Sequence, residues 1–109
     1  LKVIAANAGE VTVDELRQLS DKAKSEGDNI VAVFGAVNKE KGSANFAACC
    51  APEAVKSGVK AGDVVRAVAK LAGGNGGGKP DFAMAGAKDI DKVDEAIASV
   101  ADIVKSFIK

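Results

Sequence analysis

From Ile30 to Val37 the chain runs Ile-Val-Ala-Val-Phe-Gly-Ala-Val, without one polar side chain. Successive residues of a strand point to opposite faces, so a strand can be apolar throughout only where both faces are covered. Residues 29–37 therefore predict a central strand with layers on both sides, and the flanking segments must supply them. Upstream, residues 2–8 predict a short apolar strand that Gly9 breaks. Thr12-Val13-Asp14-Glu15 follows with the spacing of a capping box, Thr12 as N-cap and Glu15 reaching back. That predicts a helix to about Ser25, stopped at Gly27, with Val13, Leu16, Leu19 and Ala23 as its apolar face. Strand, helix, strand implies a right-handed crossover and parallel pairing of the first two strands.

Downstream, residues 38–42 form a hairpin-sized loop ending in Gly42, so residues 43–50 predict a third strand, antiparallel to the second. In it Phe46, Ala48 and Cys50 share one face, Ala47 and Cys49 the other. Pro52 opens a short helical turn that Gly58 ends. A helix from about Ala61 to Leu71 carries Val64, Val65, Val68 and Leu71 as an apolar stripe, with Asp63, Arg66 and Lys70 opposite. Residues 82–86 predict a strand or edge segment. The last helix is predicted from about Asp89 to Lys105 or beyond, with Val93, Ala96, Ile97, Val100, Val104 and Phe107 turned to the sheet. Asp89, Asp91 and Asp94 suit its positive N-terminal end, Lys105 and Lys109 its C-terminal end. The fold class is α/β: a single domain, a mixed β-sheet of about four strands with helices packed on it.

Composition narrows the chemistry. There is no histidine, so neither the commonest general base nor the commonest zinc ligand is present. Cys49 and Cys50 are adjacent, which is poor disulfide geometry and points to a reducing, cytoplasmic setting. No metal site is expected within the chain, no run is long enough to span a membrane, and no signal peptide is visible. A chain that begins at Leu1 reads as a piece of a longer protein. Formal net charge is zero, but residues 51–80 hold Lys56, Lys60, Arg66, Lys70 and Lys79 against only Glu53 and Asp63.

That excess leads into Gly73-Gly74-Asn75-Gly76-Gly77-Gly78, five glycines in six residues. Glycine loses more backbone freedom on folding than any other residue, so the cluster needs a reason. A shaped loop with its N–H groups exposed, making an anion-binding concavity, is the functional reading; a flexible tether is the alternative. Lys79-Pro80 stiffens the exit and favours the shaped loop. Two phosphate motifs fail. Gly73 to Lys79 spells the first seven positions of a P-loop, but Pro80 stands where Ser or Thr must hold magnesium, and the segment follows a helix instead of a strand. In the dinucleotide pattern, Lys79 and Asp81 take the third-glycine positions.

The run Gly73-Gly74-Asn75-Gly76-Gly77-Gly78-Lys79-Pro80-Asp81-Phe82-Ala83-Met84-Ala85-Gly86 closely resembles the signature near the C-terminus of bacterial alanine–tRNA ligases. Val59-Lys60-Ala61-Gly62-Asp63-Val64-Val65 is similar to the helix start that precedes it there, and the resemblance covers essentially the whole chain. The glycines alone are shared with the wider domain associated with DHH phosphoesterases; Lys-Pro-Asp-Phe-Ala points to the ligase. Ala87 departs from the family, which often has a second Gly there.

The resemblance implies a C-terminal, tRNA-contacting domain, spanning 1–109, of an enzyme that attaches alanine to tRNA using ATP. ATP, magnesium and zinc would belong to the parent's other domains, and this chain would hold none of them and catalyse nothing. It would hold tRNA near its outer corner, link aminoacylation with editing, contact the remaining domains of the parent, and in some relatives support a homodimer. The candidate RNA-binding residues are Gly73, Gly74, Asn75, Gly76, Gly77, Gly78 and Lys79, with Lys56, Lys60, Arg66 and Lys70. For each lysine a solvated surface position is the alternative. Two rival functions stand beside this one. A substrate-binding subdomain of a DHH-type phosphoesterase usually has His where Lys79 stands, and a dimerisation domain predicts an exposed apolar patch on the last helix.

Overall fold

A computed structural model describes residues 2–27 and 29–107. The five strands are β1 (Lys2–Gly9), β2 (Ile30–Asn38), β3 (Ser43–Cys50), β4 (Asn75–Gly78) and β5 (Phe82–Ala87). They form one sheet in the order β1-β2-β3-β5-β4. β1 and β2 are parallel and every other pairing is antiparallel. The mixed sheet is as the sequence predicts, with five strands where about four were expected.

Helices cover both faces. Helix α1 (Val13–Lys24) lies over β2 and β3 on one face. Its capping box forms: the Glu15 N–H donates to the Thr12 hydroxyl at 3.1 Å, and the Thr12 N–H donates to the Glu15 carboxylate at 3.2 Å. Helices α3 (Ala61–Leu71), α4 (Val93–Ala98) and α5 (Val100–Phe107) cover the other face, and the short α2 (Pro52–Lys56) joins β3 to α3. The alternation of β3 sorts its side chains as predicted. Phe46, Ala48 and Cys50 enter the large core under α3 to α5, while Ala47 and Cys49 pack on the α1 side.

Three expectations need correction. On α1 only Leu16 and Ala23 of the predicted face are buried; Val13 and Leu19 are 45% and 37% exposed, at the margin of a helix that lies chiefly over β2 and β3. On α3 the stripe ends at Val68, and Leu71 turns to solvent. The last helix is interrupted at Ser99, whose Oγ donates to the Glu95 carbonyl at 3.0 Å, a competing bond that bends helices. A turn of 3-10 helix at Ile90–Lys92 precedes it. Lys109 lies outside the described residues.

Candidate nucleic-acid interface

The glycine segment is not a loop. Gly73, with φ of 72°, closes α3, and Asn75–Gly78 is the edge strand β4, paired with β5 from Asn75 opposite Gly86 to Gly78 opposite Ala83. Glycine is a poor strand former, and packing explains it here. A Cβ on Gly74 would lie 2.0 Å from the Gly86 carbonyl oxygen, and one on Gly76 2.3 Å from the Ala85 Cβ. Gly62 of α3 is close too, though less severely, since its Cβ would sit 3.0 Å from the Gly78 oxygen. Helix and strand meet backbone to backbone.

The expected ring of free amides is therefore largely engaged. The Gly73 N–H donates to Lys70 at 3.3 Å, Gly74 to Ala69 at 2.8 Å and Lys79 to Phe82 at 3.0 Å, each to a backbone carbonyl. The Lys79–Phe82 bond fixes the alternation of the ladder, so Gly76 and Gly78 direct their polar groups away from β5. The Gly76 N–H donates to the Asn75 side-chain oxygen at 2.9 Å, and its carbonyl accepts from Arg66 Nε at 3.3 Å. The segment still faces solvent: Gly73, Asn75, Gly78 and Lys79 are exposed, and Gly74, Gly76 and Gly77 are half-buried.

The candidate cations distribute unevenly around this edge. Arg66 lies along β4, with Nη1 3.8 Å from Asp63 Oδ1. Lys60 precedes Ala61, whose N–H donates to the Pro80 carbonyl at 2.8 Å, so Lys60 and Lys79 flank one junction. Arg66 and Lys70 share a shallow groove of about 230 Å³ with Asp63, Ala67 and Phe107. Lys56 stands apart on α2, 3.6 Å from Glu53. Lys60, Arg66, Lys70 and Lys79 are all exposed.

Sequence reasoning passed over a second group, on the α1 side of β5. Arg17 places its guanidinium 5.8 Å from the centre of the Phe82 ring. Arg17, Gly77, Gly78, Lys79, Asp81, Phe82, Ala83 and Met84 line a groove of about 440 Å³ there. Lys24 Nζ donates to Asp81 Oδ2 at 3.2 Å, and that bond and the lysine's charge hold the Asp81 carboxyl below the usual carboxylate range. The thiols contribute nothing here: burial pushes Cys49 up and Cys50 up to about 12. Among the described residues no three His, Cys, Asp or Glu side chains gather as a metal site.

Residues 1–106 match the DHHA1 domain, and the chain belongs to that family. Its particular likeness is to alanine–tRNA ligases. It is 41% identical to the enzyme of Natranaerobius thermophilus over 96% of its own length, and 38% identical to that of Bacillus subtilis over 99%. The chain spans only 12% of the length of either relative. The crystal structure of the C-Ala domain from Aquifex aeolicus alanyl-tRNA synthetase superposes with a TM-score of 0.83 at 29% identity, covering 94% of this chain and 89% of that one.

Proposed function

We propose that the chain is the tRNA-binding C-terminal module of an alanine–tRNA ligase. It holds tRNA so that aminoacylation and editing, performed by other domains of the parent with ATP, magnesium and zinc, act on one bound substrate. Its partners are tRNA and those remaining domains, with a homodimer as a further assembly and the cytoplasm as its place. The observation that carries this is the grouping of Lys60, Arg66, Lys70 and Lys79 around the exposed glycine edge, in a chain whose relatives are alanine–tRNA ligases. The glycines act by letting α3 press on β4, which brings its cations to the rim, more than by offering their own amides. No helix is long and apolar enough to cross a membrane among the described residues.

The phosphoesterase reading gains nothing from the geometry, since Lys79 replaces the usual His. Large exposed apolar side chains are Val13, Leu19 and Leu71 among the described residues, none of them on the last helix, where the dimerisation reading expects a patch.

The test is tRNA binding by the chain over a salt series, with Lys79→Ala and the double variant Arg66→Ala/Lys70→Ala. Each removed phosphate contact is expected to flatten the salt dependence by about one unit of log–log slope. Unchanged affinity and slope in both variants would remove this surface from consideration.

A further inference from the structure

The sheet ends in β4 on one side and β1 on the other, and the two edges differ. At β4 the outward groups of Gly76 are taken by Asn75 and Arg66. At β1 the outward groups are bare. The Lys2 N–H donates to the Asn29 carbonyl at 2.9 Å, which fixes the alternation of the parallel ladder with β2. Lys2, Ile4 and Ala6 therefore turn their backbone groups to β2, and Val3, Ala5 and Asn7 turn theirs outward. Among the described residues no hydrogen bond reaches the outward N–H and carbonyl groups of these three. Proteins ordinarily blunt such an edge with a proline, a charge or a bulge. From Val3 to Asn7 there is no proline and no charge, and the register shift comes only between Asn7 and Gly9. Helices α4 and α5 pack on one face of β1, yet Ala5, Ala6 and Asn7 remain exposed.

We infer that the β1 edge joins two copies of this chain, antiparallel about a two-fold axis at Ala5, into one continuous sheet. This gives a face to the homodimer in the reading above and does not lean on its tRNA part. Three observations favour a second copy as the occupant. First, a two-fold contact needs a strand that matches itself reversed. Centring on Ala5 sets Ala5 against Ala5, and Val3 against Asn7 of the second copy, so each outward N–H meets an outward carbonyl. Only a methyl group stands at the axis. Second, the same register carries Lys2 of each copy to the far end of the other's strand, where Glu10 follows Gly9. Both side chains are exposed, and among the described residues neither has an ion-pair partner. They lie at opposite ends of β1, so reversed pairing is what brings them together; a foreign strand would need its own acid and base at that spacing. Third, the masked β4 edge stops the sheet from growing further, so the assembly closes at two copies. A contact one strand wide belongs to the small, transient class, below about 1,200 Å², and forms at high local concentration.

The experiment follows the chain by sedimentation velocity from low micromolar to millimolar concentration, without RNA. The expected result is a reversible monomer–dimer equilibrium, with hydrogen exchange of the Val3, Ala5 and Asn7 amides slowing as the dimer forms. Ala5→Pro removes the N–H at the axis, which the monomer leaves unbonded, so the fold should survive. It should weaken dimerisation about ten- to a hundredfold, the range for losing two backbone bonds. Lys2→Glu should weaken it severalfold, and Lys2→Glu/Glu10→Lys should restore it. Thermal melting checks that each variant folds, and Ala5→Lys serves if Ala5→Pro does not. A chain that stays monomeric at millimolar concentration overturns the inference. So does a dimer that the Ala5 variants leave at wild-type strength, or one that the exchanged charges fail to restore. Titration with tRNA keeps this apart from the reading above: β1 and β4 are opposite edges, so Ala5→Pro should bind tRNA as wild type does. If tRNA binds and no dimer forms, the edge is wrong and the module's function stands. If the dimer forms with these sensitivities and tRNA does not bind, the edge stands and the ligase role falls.

Discussion

At the scale of single residues, the two cysteines show how context sets chemistry. Cys49 Sγ donates to the Ser20 carbonyl at 3.2 Å, and both thiols are buried, on opposite faces of β3. Burial raises both ionisation points, for Cys50 to about 12, with the neighbouring Cys49 a secondary cause. In the unfolded chain the thiols ionise near their ordinary value of about 8.5. Above that pH the unfolded state has released protons that the folded state retains, so stability falls as pH rises. The expected outcome is a urea midpoint that declines from about pH 8.5 upward, where the unfolded thiols begin to ionise, and less steeply in Cys49→Ala/Cys50→Ala, which starts from a lower stability. Asp81 has the opposite sign but is exposed, and its contribution fades only as pH falls through its depressed value. Alternation along β3 alone assigns the cysteines to opposite faces, and both lie there, buried. The places of Asn45 and Met84 escaped sequence reasoning because their neighbours are set by register across three strands, and that of Arg17 because its neighbour Phe82 depends on where α1 lies on the sheet; no local spacing encodes either.

At the scale of elements, α3 and β4 behave as one unit. Gly62 of the helix and Gly78 of the strand touch through backbone atoms, and Arg66 bonds the strand's outer edge. Gly62→Ala would gain helix propensity on a solitary helix, yet here the added methyl meets the Gly78 oxygen at 3.0 Å and its nitrogen at 3.2 Å. The crowding wins because both partners are backbone and cannot rotate away. The substitution is expected to cost about 1–3 kcal/mol by urea denaturation, and to weaken tRNA binding because β4 is displaced. The elements with a clear hydrophobic period were legible from the residues: β2, β3, α3 and the capped start of α1 fall within a residue or so of expectation. β4 was not. Four residues of Asn-Gly-Gly-Gly carry no side-chain pattern, and a helix on one side and β5 on the other make them a strand. The exposed Leu71 was hidden because it depends on where the sheet ends beneath α3, and the break at Ser99 because the hydrophobic period runs through it while a side-chain bond to the Glu95 carbonyl interrupts the helix.

At the scale of the whole molecule, one sheet is shared by two unequal cores. The larger lies under α3, α4 and α5 around Phe46, and the smaller lies under α1 around Leu16 and Cys49. Because β2 and β3 contribute side chains to both, neither core can open while the other persists. Unfolding should be two-state: circular dichroism and thiol reactivity are expected to trace coincident urea transitions. Phe46→Ala should shift both together by about 3–5 kcal/mol. Two separate transitions would show that the α1 layer melts alone. The fold class and its layering were readable from one uninterrupted apolar strand, whereas the division of labour between the faces was not. How the α1 face is shared depends on α1 lying chiefly over β2 and β3, with Phe82 and Met84 of β5 packed at its margin.

The capping of Gly76 has a colloidal consequence. A ribbon of glycines at the border of a sheet, with nothing to obstruct its main chain, is the kind of template along which copies of a protein zip into fibrils. Here the Asn75 carboxamide and the Arg66 guanidinium each mask one of its outward-pointing groups. The molecule can thus display its barest stretch of chain to a dissolved polymer of another kind while denying its own copies a place to begin.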